Sequence, residues 1–380
     1  MQQHSVALVG CQSYNQKEVD AAVQRAFDLL GGLKQWIHPG MKVAIKVNLL
    51  MKKKPEGFTT THPAVVEAVV KQVQALGAQA VIGDSPGGPF TASKVHGIYK
   101  VCGMEQVSER TVAELNEDFE QVSVYHEKAI RLKQLQICRY LTQVDAVIDC
   151  AKLKTHGLTQ YTGAVKNLYG CIPGTVKMEY HFRMPELAEF SQMLVDLCEY
   201  VRPVISLIDA VEAMEGDGPS GGEKRKMNCL IAAPSPYAAD VVGSRLMNLD
   251  PARICTTQRA MERGLVDPEK VEVLGEDWQA YVAKDYVVPP VNHGKSLPRM
   301  APKCIMNLLE KMMKPKPVFM HEKCVGCGDC FRSCPPKAIL MQKGKPEADL
   351  EKCIRCFCCQ ELCPVQAIKI KRSKLLKWIG

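Results

Sequence analysis

Seven short runs of Val, Ile, Leu and Ala punctuate the first ~285 residues: SVALVG (5–10), KVAIKVNLL (42–50), AQAVIGD (78–84), VDAVIDC (144–150), VISLIDA (204–210), NCLIAA (228–233) and VEVLG (271–275). In most of them successive positions are apolar, which suits strands covered on both faces. Between the runs, apolar positions recur at helical spacing, as in PAVVEAVVKQVQALG (63–77), PELAEFSQMLVDLCEYV (185–201) and SPYAADVVGSRLM (235–247). The first of these opens on Pro and closes on Gly, residues that suit a helix start and a helix end. Strands alternating with helices predict an α/β domain: an open, mainly parallel sheet with helices on both faces.

The pattern then changes. Residues 286–318 are rich in Pro and Lys and read as a linker holding one short amphipathic helix, CIMNLLEKMM. That helix is expected to pack between two domains; contact with a membrane surface is the less favoured reading, there and for the basic tail IKRSKLLKWIG (370–380). The division is therefore an α/β domain over 1–285, the linker, and a small α+β domain over 319–380. A chain of 380 residues is long enough for two such cores. Its start, MQQHSVALVG, lacks a cationic lead and apolar run, and no apolar segment nears the roughly 20 residues of a membrane span, so a cytoplasmic protein is expected.

Eighteen cysteines add the first chemistry, because nine of them fall between Cys324 and Cys363. In a reducing compartment such density means metal rather than disulfides. Cys324, Cys327, Cys330 and Cys334, followed by Pro335, have C-x2-C-x2-C-x3-C-P spacing, and Cys353, Cys356, Cys359 and Cys363, followed by Pro364, repeat it. In such runs the fourth cysteine serves the other cluster. Cys324, Cys327, Cys330 and Cys363 are thus assigned to one [4Fe–4S] cluster, and Cys353, Cys356, Cys359 and Cys334 to a second. Cys358 fits neither run and reads as a spectator. Residues 319–372 resemble the two-cluster ferredoxin family, and zinc sites do not call for this duplicated pattern.

Charge adds a second picture. The net +8 is concentrated near the C-terminus, where residues 319–380 hold nine Lys and three Arg against four Glu and two Asp. It either balances anionic clusters or docks an acidic redox partner, such as a ferredoxin or flavodoxin. No aromatic interleaving suggests nucleic acid. Elsewhere, polar residues sit at predicted strand ends: Lys46 and Asn48, Asp84 and Ser85, Lys152, Lys154 and His156, and Asp209. Ligands of open α/β sheets bind beyond those ends. With Lys166 and Asn167 they predict a pocket for an anionic small molecule. Lys154, Lys166 and His156 are the candidate catalytic groups, and Lys46, Asn48, Asp84, Ser85, Lys152, Asn167 and Asp209 the binding groups. His156, and less directly His181, could move a proton near neutral pH.

KVN (46–48), GDSPGG (83–88), KLKTHGLTQYTGAVKNLYGCIPG (152–174) and EGDGPSGG (215–222) resemble the signature segments of the domain-of-unknown-function family numbered 362. The resemblance implies an iron–sulfur protein and supplies no reaction. That family is distantly similar to the nickel-dependent lactate racemase fold, but the racemase's paired histidines are not evident here, so its nickel cofactor is not carried over. One glycine where the dinucleotide fingerprint wants three argues against tightly bound nicotinamide; a flavin or another anionic cofactor stays open. The leading expectation is an iron–sulfur reductase that delivers electrons to the bound anion. Its rivals are a non-catalytic electron-transfer or maturation protein, and redox-neutral anion chemistry with structural clusters.

Overall fold

The computed structural model describes residues 4–289 and 314–372. The linker helix at 304–313 and the basic tail from 373 onward lie outside the described residues. The strands of the large domain are β1 (Ser5–Gly10), β2 (Lys42–Lys46), β3 (Gln79–Gly83), β4 (Glu114–Leu115), β5 (Gln121–Tyr125), β6 (Gln134–Cys138), β7 (Ala146–His156), β8 (Gln160–Thr162), β9 (Ile205–Glu215), β10 (Glu223–Ala233) and β11 (Glu272–Gly275). The helices are α1 (Gln16–Leu29), α2 (Pro63–Ala75), α3 (Ala92–Val101), α4 (Met104–Thr111), α5 (Ala164–Asn167), α6 (Gly174–Arg183), α7 (Leu187–Val201), α8 (Pro236–Leu246) and α9 (Cys255–Glu262).

The main sheet runs in the order β11-β1-β10-β9-β7-β2-β3-β4, with β8 added to β7. It is mixed rather than uniformly parallel. β2, β3, β4, β7 and β9 pair in parallel, as do β1 and β11, but β10 is antiparallel to both of its neighbours. The reason is the connection: β9 and β10 are joined by residues 216–222 alone, too short for the crossover a parallel pair needs. Helices cover both faces. Ala7, Ile45, Ile82, Ile148 and Leu207 pack with α1 and α2, while Leu8, Leu153, Ile208 and Ile231 pack with α8. The caps follow local chemistry: the His62 ring accepts from Ala64 N ahead of Pro63, and Ser235 Oγ accepts from Ala238 N ahead of Pro236.

Two strand ends differ from the apolar pattern in a way that matters for the site. β7 continues past Cys150 to His156, and β9 continues past Asp209 to Glu215. In β7 the residues beyond Cys150 are still paired, to β9 on one side and to β8 on the other (Lys154 with Thr162, His156 with Gln160). A hydropathy pattern stops at the first lysine because it cannot show that the lysines are buried. Alternation along the strand puts Lys152, Lys154 and His156 on the side of Ile148 and Cys150.

The small domain has two hairpin-like pairs, β12 (Lys316–Phe319) with β15 (Ile368–Lys371) and β13 (Ile339–Gln342) with β14 (Lys345–Ala348), plus helical turns at Asp329–Arg332 and Cys358–Glu361. The structural boundaries lie slightly apart from the composition-based ones. β12 already belongs to the small domain at Lys316, and Tyr286 still packs in the large one, donating to Met214 O at 2.9 Å.

Candidate functional site

The two domains meet at the carboxyl ends of β2 and β3. The loop between β9 and β10 forms much of the junction. Gln360 Nε2 donates to Asp217 O (3.0 Å), Gln366 Nε2 to Ser220 O (2.7 Å), and Arg372 pairs with Asp217 (2.9 Å). EGDGPSGG therefore holds the small domain and contributes nothing to the anion cavity's lining. Its Gly218 is required for that: a Cβ there would lie 2.1 Å from Thr155 O.

Under this junction is a cavity of about 80 Å3. Asn48, Asp84, Ser85, Lys166, Lys177 and His181 line it from the large domain, and Cys358, Glu361 and Leu362 from the small one. Loop 83–88 and residues 170–174 bring backbone to its wall. Gly170 has no room for a side chain, since a Cβ would stand 2.0 Å from Asp84 Oδ1 and 2.5 Å from Lys46 Nζ.

The structure separates the predicted lysines by what they already hold. Lys46 is fully buried and pairs with Asp84 at 2.9 Å. Burial opposes its charge, yet Asp84 and Asp149 outweigh burial and hold its pKa above the ordinary value. Lys152 is spent on Asp209 (2.8 Å) and Tyr14 (2.6 Å). Asp209 also accepts from His62 N at 3.0 Å, so Lys152 and Asp209 form a buried structural pair beyond the cavity lining. Lys154 Nζ donates to Asn48 Oδ1 (2.6 Å) and Thr59 O (2.8 Å) and has no carboxylate partner among the described residues. Burial, then the charges of Lys152 and Lys166, push it down to about 7. It acts by fixing Asn48, whose Nδ2 reaches Asn167 Oδ1 at 3.0 Å; Asn167 in turn donates to Asp149 at 2.7 Å.

Lys166 faces the cavity itself. Its ammonium lies over the rings of Tyr169 (4.9 Å) and Phe190 (5.9 Å), a cation–π seat, and no carboxylate lies within ion-pair distance among the described residues. Burial lowers its pKa. Ser85 Oγ, also on the wall, is buried without a hydrogen-bond partner. A buried hydroxyl and a buried cation in one small space are complementary to an oxyanion.

His156 sits behind this wall. Its Nδ1 accepts from Leu158 N (3.0 Å) and Thr159 N (3.3 Å), so the neutral ring carries its proton on Nε2, which faces Glu361 Oε1 at 3.0 Å. Burial lowers its pKa, in agreement with that neutral tautomer.

Three participants escaped the sequence reading. Lys177 donates to Ser85 O, and burial pushes it down to about 8. Glu361 is the small domain's carboxylate in the cavity; burial would raise it, but the Nε2 side of His156 facing it and the Lys166 ammonium hold it well below the usual carboxylate range. Cys358 is no spectator in position, because it lines this cavity and the adjoining one described next. His181, stacked on Phe190 at 4.3 Å, is pushed down to about 3 by burial and forms a neutral aromatic wall. Only Lys177 carried a usable signal, its place one helix turn after Gly174 at the start of α6.

Two smaller apolar cavities complete the small domain. Cys324, Cys327, Cys330 and Cys363 line one, with Phe319, Val325 and Ile368. Cys334, Cys353, Cys356 and Cys359 line the other, with Ile339, Phe357 and Cys358. Backbone N–H groups of Gly326, Ala338 and Ala367 donate to the sulfurs of Cys324, Cys334 and Cys363 at 3.4, 3.2 and 3.1 Å. Four sulfurs around a cavity, with N–H donors aimed at them, fit a four-iron cube. The anion cavity offers no support for a flavin, since its 80 Å3 suits a carboxylate or phosphate group rather than a three-ring system.

Among the described residues no helix is long and apolar enough to cross a membrane. The thylakoid-associated protein sll1697 of Synechocystis sp. (strain PCC 6803) is 32% identical over 272 residues, covering 71% of this chain and 82% of that protein. Two solved structures show weaker likeness, each with a TM-score of 0.39. The lactate racemase apoprotein from Thermoanaerobacterium thermosaccharolyticum is 10% identical, with 64% of this chain and 58% of that one covered. A Thermotoga maritima protein is 11% identical, with 63% and 60% covered. Residues 316–364 match the 4Fe-4S dicluster domain, and residues 43–245 match the domain of unknown function DUF362, the family to which this chain belongs.

Proposed function

We propose that this protein passes single electrons through two [4Fe–4S] clusters to a small oxyanion held in the junction cavity. Cys324, Cys327, Cys330 and Cys363 would hold one cluster, and Cys334, Cys353, Cys356 and Cys359 the other. The carrying observation is that Cys358 lines both the second cysteine cavity and the anion cavity, so one side chain separates electron source from ligand.

The clusters, when bound, supply electrons one at a time. The large domain does the rest. Lys166 and Ser85 bind and orient the anion, and Asn48, fixed by Lys154, limits its reach. Lys177 is the wall group able to release a proton near neutral pH, given its lowered pKa of about 8. His156 keeps Glu361 in place rather than meeting the ligand.

The test uses holoprotein purified without oxygen, with phosphate, acetate and oxalate as probes. Binding is followed by calorimetry, and the electron paramagnetic resonance signal of the reduced protein is recorded with and without each probe. Binding that perturbs the signal, and is lost in Lys166→Ala, supports the proposal. Absence of binding for all three, with an unchanged signal, would turn the reading toward a non-catalytic electron carrier.

A further inference from the structure

The two cysteine sets differ in their exposure. Cys327 of the first set is exposed, whereas no cysteine of the second set is. Around the first set the surface is apolar as well as open: Val325 is 65% exposed and Phe331 45%. Val325 and Val365 both line that cavity, so their exposed surface continues to the sulfurs. The second set is covered instead, with buried Phe357 and Cys358 closing it on the side of the anion cavity.

Cations from both domains ring the open side. Arg332 donates to Cys327 O at 2.7 Å, and Lys345 donates to Cys324 O at 2.7 Å. Lys323 precedes Cys324 and is exposed. From the large domain, Lys94 reaches over Gly87, donating to its carbonyl at 2.6 Å, and lies within the field of Lys52 and Arg332 as well as Asp329. Asp329 and Arg332 cancel each other at 2.7 Å, and Glu322 is exposed beside Lys323, so the net positive charge of the rim comes from Lys52, Lys94, Lys323 and Lys345. What remains is an apolar patch over a ligand cysteine inside a positive rim that spans the domain junction.

We propose that this patch docks an acidic one-electron carrier protein, which delivers electrons to the first cluster and so fixes the direction of flow: in at Cys327, out past Cys358. An apolar centre with a charged rim is the form of a transient redox interface, where charge sets the encounter rate and the apolar contact the approach of the two centres. Each encounter oxidises the carrier by one electron and reduces one cluster by one, with no bond made or broken.

The inference rests on the two-cluster reading above but not on the anion cavity. The experiment follows reduction of the oxidised holoprotein by a chemically reduced, acidic plant-type [2Fe–2S] ferredoxin in an anaerobic stopped-flow instrument. Lys52→Glu/Lys94→Glu is expected to slow reduction at least tenfold at low ionic strength and to flatten its salt dependence, while bleaching by dithionite stays complete. Lys323→Gln, which removes one rim charge, is a milder change and is expected to slow it about two- to fivefold. Arg202→Glu, at the opposite end of the sheet, serves as the control. Unchanged rates in both rim variants, or an equal loss in the control, would overturn the inference. So would rim variants that lose binding to anionic phospholipid vesicles but keep wild-type ferredoxin kinetics, which would make the patch a membrane contact. Failure of dithionite to bleach the protein would instead remove the cluster reading itself.

Discussion

Glu361 of the small domain stands 3.0 Å from Nε2 of His156 in the large domain, with both side chains largely buried. The pair joins the turn between Cys359 and Cys363 to the strand that carries the lysines. The ring is held by two backbone N–H groups on its other nitrogen. The contact therefore positions the small domain and closes the cavity with a negative charge.

Replacing Glu361 by Gln removes that charge while keeping the shape. The junction is expected to weaken by about 1–3 kcal/mol, because the buried contact between the carboxylate and the imidazole loses its charge. Hydrogen exchange should rise in loop 216–222, which bonds to Gln360 and Gln366. Unchanged exchange there would show that the loop contacts alone hold the domains together.

Asp84→Asn tests the buried pair under the cavity floor. It leaves the fully buried Lys46 ammonium, 2.9 Å away, without its compensating charge. A loss of about 3–5 kcal/mol is expected from urea unfolding. Gly170→Ala should act in the same direction by pushing into both partners, because its Cβ would come within 2.0 Å of Asp84.

Lys154 gives a pH dependence with a definite sign. Its pKa is depressed in the folded state to about 7 from 10.5. Between those values the unfolded chain binds more protons, so this residue's contribution to stability rises with pH. The penalty for burying its charge is full below about 7 and fades toward 10.5. Lys154→Met should therefore gain more stability relative to wild type at pH 6 than at pH 9.5, as read from denaturant midpoints. Equal differences at both pH values would mean that the ammonium titrates normally.

The cysteine sets are separable by substitution. Cys359→Ser is expected to lower iron content and alter the electron paramagnetic resonance signal, while Cys358→Ser keeps about eight irons, the content of two four-iron clusters. Loss of iron in Cys358→Ser would make that residue a ligand in place of its neighbour.

The main elements and the 4Fe-4S dicluster domain were legible because their signals are local. Apolar runs between helical periods mark the strands, and α2 shows its Pro63 start directly. The cysteine repeats announce themselves by spacing, and the crossing of Cys363 and Cys334 follows from the duplicated pattern. β10 escaped the parallel expectation because strand direction depends on connection length, and its lower half, EKRKM, carries no apolar run.

The anion site was legible only as a set of residue types. Sequence placed Lys46, Lys152, Lys154 and Lys166 together and could not rank them, because a lysine's chemistry depends on partners distant along the chain. Folding gave Asp84 to Lys46 and Asp209 to Lys152, and left Lys166 over aromatic rings facing open space. It also brought in Lys177 and Glu361 and turned a glycine-rich segment into an interdomain contact. Sequence by itself determined which chemistry this chain can carry, since ligand type and periodicity are written in neighbouring residues. Only the tertiary structure decided which charges remain available, because burial and ion pairing are set by what folding places within a few ångströms.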